Sequence, residues 1–159
     1  MTDFPALLRT LADTNVECIV VGGAAATAHG SGRLTLDLDV VYRRTADNMV
    51  RVVQSLAGHR PYLRGAPSGL PFRWDVETLS RGLNFTLVTD VGSIDLLGEI
   101  AGGGGYEALL PYAEILAVFG VECRCLSLER LIHVKRAAGR IRDLEVIAEL
   151  EAIAEERRR

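Results

Sequence analysis

The sequence predicts an α/β (α+β) domain in which a short mixed β-sheet is flanked by helices and C-terminal helices close a cleft. Three observations predict it. The apolar run Cys18-Ile19-Val20-Val21 ends in Gly22-Gly23 and opens into an alanine-rich stretch, the pattern of strand, turn and helix. The segment Leu36-Asp37-Leu38-Asp39-Val40-Val41 places acids at every second residue, the period of a strand. The last third carries apolar residues at helical spacing. With no internal repeat and no linker, residues 1–159 read as one domain, 1–126 the sheet-containing core and 127–159 the C-terminal helical part.

Taken in order, Leu7, Leu8 and Leu11 predict a helix over roughly 4–14, followed by a strand over roughly 17–21. Ala24 to His29 predicts a short helix, alanine being the best helix former. A strand is expected at 36–42, then a helix at about 46–57 carrying Met49, Val50, Val53 and Leu56. Residues 58–71, punctuated by Pro61, Gly65, Pro67, Gly69 and Pro71, predict a long loop. Asn84–Thr89 and Ser93–Leu97 form a hairpin through Asp90-Val91-Gly92, and a second hairpin, at about 114–119 and 121–126, turns at Gly120. The glycine run 102–105 predicts a loop and nothing else. Ser127 is placed to cap a helix, and another helix runs from about Ile141 into the tail Glu155-Glu156-Arg157-Arg158-Arg159.

Lys and Arg total 18 against 21 Asp and Glu, a net charge of −3, so no overall basic field draws in nucleic acid. Any such contact would need a local patch. No apolar run approaches the roughly 20 residues of a membrane span, and Met1-Thr2-Asp3-Phe4-Pro5 lacks the pattern of a secretory signal. Three cysteines, an odd number without framework spacing, predict free thiols and a cytoplasmic protein with no membrane partner. Cys123 and Cys125 share a strand face, but without a second pair they predict no zinc site.

Asp37 and Asp39 project together from their strand. Two carboxylates that close repel unless a cation lies between them. Oxygen-only ligands suit Mg²⁺, which takes one or two carboxylates together with substrate phosphates. A glycine turn opening a helix supplies the complementary half, because free N–H groups there attract phosphate. Asp95, set in the apolar stretch Ser93-Ile94-Asp95-Leu96-Leu97, costs free energy unless paired or bound to metal. If its strand lies beside the first, the three acids form a cluster for one or two divalent ions. Lys135 and Asp143 share a face if the helix continues through Gly139, with Arg136 and Arg140 an i,i+4 pair beside them, cations that could meet a triphosphate. Each feature also has an ordinary reading: a turn, a capped strand end, a solvated helix face. His29 and His133 read as packing or surface residues. The joint occurrence in this order is what points to a metal–nucleotide site.

That order resembles the nucleotidyltransferase superfamily typified by DNA polymerase beta. The signature is carried by Val21-Gly22-Gly23, the stretch Ala24 to Leu36, and Asp37-Leu38-Asp39-Val40. The chain is also similar to small bacterial nucleotidyltransferase-like proteins, some of them toxin–antitoxin components. That likeness lies in His29-Gly30, Arg33 to Asp37, Asn84 to Thr89 running into Ile94-Asp95-Leu96-Leu97, Leu128 to Ile132, and Lys135 to Arg140 with Asp143. The resemblance implies that Asp37 and Asp39 bind catalytic Mg²⁺, in a possible two-metal site, and that Asp95 is the third acid. It further implies that Gly22 and Gly23 cradle the phosphates of an NTP and that Lys135 reaches the nucleotide. The implied activity is transfer of a nucleoside monophosphate to a hydroxyl on RNA, protein or a small molecule. The alternative it leaves is a weak or inactive nucleotide-binding protein acting through a toxin or antitoxin partner. Gly23 and Ala24 stand where many members carry serine; Thr27 and Ser31 are the hydroxyls near enough to substitute.

Overall fold

The computed structural model describes all residues, 1–159. Seven strands form one mixed sheet in the order β3-β4-β5-β2-β1-β9-β8. Its strands are β1 (Cys18–Val21), β2 (Asp37–Tyr42), β3 (Tyr62–Leu63), β4 (Asn84–Thr89), β5 (Gly92–Leu97), β8 (Ala113–Val118) and β9 (Val121–Leu126). Two parallel pairings, β2 with β5 and β1 with β9, join three antiparallel ribbons. A separate two-residue ladder pairs β6 (Glu99–Ile100) with β7 (Gly104–Gly105).

The helices are α1 (Phe4–Asp13), α2 (Gly22–Ala28), α3 (Ala46–Ala57), α4 (Val76–Arg81), α5 (Tyr106–Leu109), α6 (Leu128–Ala138) and α7 (Ile141–Arg157). Side chains set several starts: Asp3 accepts from Ala6 N, Thr45 from Asn48 N, Asp75 from Thr78 N and Ser127 from Arg130 N. Helix α1 packs on one face of the sheet, where Leu8, Leu11 and Val20 line a common cavity. By strand alternation Leu38, Val40, Ile94 and Leu96 lie on that same face, all fully buried. The opposite face carries α2 and α6, and with them the cleft. No helix is long and apolar enough to cross a membrane.

The expected elements are present, β6 and α5 are additional, and four further differences stand out. Tyr62–Leu63 inside the expected loop pairs with β4, and α4 follows it. The glycine run is not pure loop, because Gly104–Gly105 forms β7. Helix α2 starts at Gly22 rather than Ala24, so the glycine pair is its first turn. The helix does not continue through Gly139, which adopts φ 65° and ends α6. Lys135 and Asp143 nevertheless lie 3.8 Å apart, brought together by the reversal into α7 rather than by helical spacing. Arg136 pairs with Glu151 and Arg140 with Asp143, so the two arginines form no i,i+4 pair.

One buried polar residue ties the α3 start to the sheet. Asn48 is fully buried; its Nδ2 donates to the carbonyls of Glu17 (2.9 Å) and Arg43 (2.7 Å), and its Oδ1 accepts from Glu17 N at 2.7 Å. Asn48→Ala strands these backbone groups away from water. The expected cost is about 3 kcal/mol, a fall in Tm of roughly 10 °C by circular dichroism.

Candidate active site

The pairing of β2 with β5 sets Asp39 directly beside Asp95, with Asp37 opposite Ser93. Asp37, Asp39 and Asp95 thus project from one face of adjacent parallel strands, while Leu38, Ile94 and Leu96 point into the core. A cavity of about 860 Å³ opens on that face. Asp39 and Asp95 form its floor, Gly22 and Gly23 one wall, and Lys135 and Arg140 the opposite wall. Asp37 lies next along the strand, outside the cavity lining, with its Oδ2 3.7 Å from Arg64 Nη1.

The floor is electrostatically crowded. Burial first, and the neighbouring Asp95 second, push the Asp39 carboxyl up from 3.8 to about 7; Asp37 adds to the rise and Arg64 opposes it. Asp39 Oδ1 is buried without a hydrogen-bond partner, a costly state for a carboxylate oxygen unless something positive meets it. Gly22 allows the close approach: with φ 63°, a Cβ there would fall 2.3 Å from Asp39 Oδ2. Gly23 is equally tight, its Cβ position lying 2.6 Å from Thr35 Oγ1.

These residues fit a divalent cation on Asp39 and Asp95, an oxygen-only set in which one oxygen of each carboxylate has no hydrogen-bond partner. No group of three His, Cys, Asp or Glu side chains is arranged to hold an ion by itself. The expected three-carboxylate cluster is therefore two acids on the cavity floor, Asp39 and Asp95, with Asp37 outside the lining, and Arg64 ion-paired to both Asp95 (2.7 Å) and Asp37 (3.7 Å).

The far wall is a compact network of charges. Asp143, 2% exposed, accepts from the side-chain Nε and backbone N of Arg140 and lies 3.8 Å from Lys135 Nζ. Those hydrogen bonds hold its carboxyl below the usual range. Burial lowers the Lys135 ammonium, partly offset by Asp143. An incoming polyanion would favour the charged ammonium.

No protein-family model matches the sequence, and no curated protein does. Among solved structures, a Thermotoga maritima protein provisionally assigned as a nucleotidyltransferase superposes with a TM-score of 0.59 at 14% identity, over 94% of each chain. The fold is nucleotidyltransferase-like. At that identity the likeness is one of architecture.

Within the nucleotidyltransferase-like fold, several neighbours of the site carry no sequence signal. Arg64 arrives from the end of β3, in the segment expected to be loop. Thr35 is the hydroxyl against Gly23. Of the two hydroxyls considered as substitutes for the absent serine, Thr27 Oγ1 is buried outside the cavity lining and Ser31 donates to Glu149 at 2.5 Å. His29 is a packing residue: Nε2 donates to Leu126 O at 2.8 Å, and Nδ1 accepts from Arg157. The three cysteines are free, and burial pushes the Cys18 thiol up to about 12, so none is placed as a nucleophile.

Proposed function

We propose that the protein is a Mg²⁺-dependent nucleotidyltransferase that moves a nucleoside monophosphate from an NTP to an acceptor hydroxyl, releasing pyrophosphate. The observation that carries this reading is the orphaned oxygen of Asp39, beside Asp95, on the floor of a cavity whose walls are the α2 start and the Lys135–Arg140 pair. About 860 Å³ is within the range of small-molecule sites, roughly 300–1,000 Å³. Asp39 and Asp95 would hold Mg²⁺, and Asp37 would complete the acidic field around them. When bound, Mg²⁺ supplies charge neutralisation at the transferring phosphate and lowers the pKa of the attacking hydroxyl. Gly22 and Gly23 let the backbone come close to the phosphates. Lys135 and Arg140, steadied by Asp143, bind the negative charge that passes to pyrophosphate. Three free thiols fit a reducing cytoplasm.

A second reading, nucleotide binding without turnover in a protein that acts through a toxin or antitoxin partner, is favoured by one observation. Arg64 engages two of the three acids. Incubation with each labelled NTP, Mg²⁺ and cell extract separates the two. Label on RNA, protein or a small molecule supports transfer. Calorimetric binding of Mg²⁺–NTP without labelling supports the second reading, and neither binding nor labelling overturns both.

A further inference from the structure

Arg64 has an unusual place in the site. It follows β3, and its backbone N donates to Thr86 O at 3.0 Å, so it extends the pairing of β3 with β4. Thr86 lies opposite Asp95 and Asp95 opposite Asp39, so one row crosses four strands from Arg64 to Asp39. The guanidinium reaches back over that row. Its Nη2 donates to Leu87 O at 2.8 Å and Ile94 O at 3.4 Å, and lies 2.7 Å from Asp95 Oδ1, while Nη1 lies 3.7 Å from Asp37 Oδ2. With Nη2 donating to two carbonyls and Nε buried without a partner, the contact to Asp95 is chiefly an ion pair. The side chain is 31% exposed, so this is not a loose surface arginine meeting whatever acid is near. Its backbone and side chain are both fixed to the strands that carry the acids.

We propose that Arg64 is a resident cation of the acidic face, occupying the place of a second metal, so that this chain takes up one divalent ion rather than two. The inference rests on the reading of Asp39 and Asp95 as metal ligands. Charge balance supports it: three carboxylates and one guanidinium leave two negative charges, the complement of one divalent cation. Geometry supports it as well. A two-metal clamp needs its ions roughly 3.5–4 Å apart between shared carboxylates, and Arg64 already bridges Asp37 and Asp95. Asp39 Oδ1 and Asp95 Oδ1 are both buried without a hydrogen-bond partner, but Arg64 already faces the Asp95 oxygen at 2.7 Å, which leaves the Asp39 oxygen for an ion. Arg64 is thus a positioning residue: it fixes Asp37 and Asp95 and leaves the Asp39 side open.

The test is a titration of the full chain with Mn²⁺ alone, free Mn²⁺ being read by electron paramagnetic resonance, for the parent, Arg64→Gln and Arg64→Lys. Circular dichroism reports that each variant is folded. The expected result is one ion per chain for the parent, two for Arg64→Gln and one for Arg64→Lys, which keeps the charge. Two ions in the parent, or one in a folded Arg64→Gln, overturns the role of Arg64 and leaves the metal reading of Asp39 intact. No Mn²⁺ bound by the parent or by either variant overturns the metal reading, and this inference with it. If Arg64→Gln fails to fold, Arg64→Lys decides: two ions bound by it overturn the proposal, and one supports it.

Discussion

Asp39→Asn is expected to abolish nucleotidyl transfer while making the metal-free protein more stable. The loss follows from removing the carboxylate whose oxygen has no partner within the protein. A metal-ligand charge at the reacting phosphate contributes several kcal/mol, so a fall of about 10³-fold in kcat is expected in a labelled-NTP assay. The gain in stability has the opposite origin. The folded Asp39 carboxyl is raised to about 7 from 3.8, chiefly by burial and then by Asp95. A raised carboxyl pKa means that ionisation opposes folding. The penalty is absent below the unfolded value, grows between about pH 4 and pH 7, and is fully present above the folded value. In EDTA, the Asp39→Asn substitution should therefore raise Tm by several degrees at pH 8 and by little at pH 4. Saturating Mg²⁺ should narrow the difference at pH 8, because bound cation stabilises only the parent. A variant that retains the parental rate, or one that is less stable at pH 8, contradicts the assignment of Asp39.

Gly22→Ala is expected to be nearly as damaging to activity, by displacement rather than deletion. The residue adopts φ 63°, a left-handed conformation that costs a side-chain-bearing residue about 1 kcal/mol or more. The added methyl would fall 2.3 Å from Asp39 Oδ2 and 3.0 Å from its Cγ. Asp39 can rotate away, so the fold should survive with a Tm only a few degrees lower. That rotation moves the ligand oxygen and closes the first turn of α2 to phosphate. A loss of about 10²-fold in kcat/KM is expected, since misplacement of about 1 Å at a reacting group has that effect. Gly23→Ala is the useful comparison: its backbone is unstrained and its methyl would meet the Thr35 hydroxyl rather than an acid.

Much of the architecture is legible in residue patterns because those patterns are local. The period-two alternation of 37–41, the Asp90-Val91-Gly92 turn and the Ser127 cap each report on their own few residues. The acids at 37, 39 and 95 are legible for the same reason: a charge set among apolar strand residues is visible without knowing its neighbours. Strand order is not legible in this way. Nothing in either segment states that β5 inserts between β4 and β2 so that Asp95 meets Asp39. Arg64 is hidden by the same gap, since its position depends on a two-residue pairing within a proline- and glycine-rich stretch. Helix α4 is more readable than its surroundings suggest, because Asp75 three residues before Thr78 is a capping spacing. Continuity through Gly139 fails on residue type: glycine after an apolar-periodic run marks a helix end.

The parallel contact between β2 and β5 also has a kinetic meaning. The β4–β5 hairpin closes over a tight turn, whereas Asp39 and Asp95 are separated by more than fifty residues of intervening chain. Joining segments that far apart carries a loop-closure cost that local hairpins avoid. The pairing that brings the acids together is the one that buries Leu38, Ile94 and Leu96 on the other side of the same strands. The apolar seam that drives this pairing is the same one that forces the charges into contact.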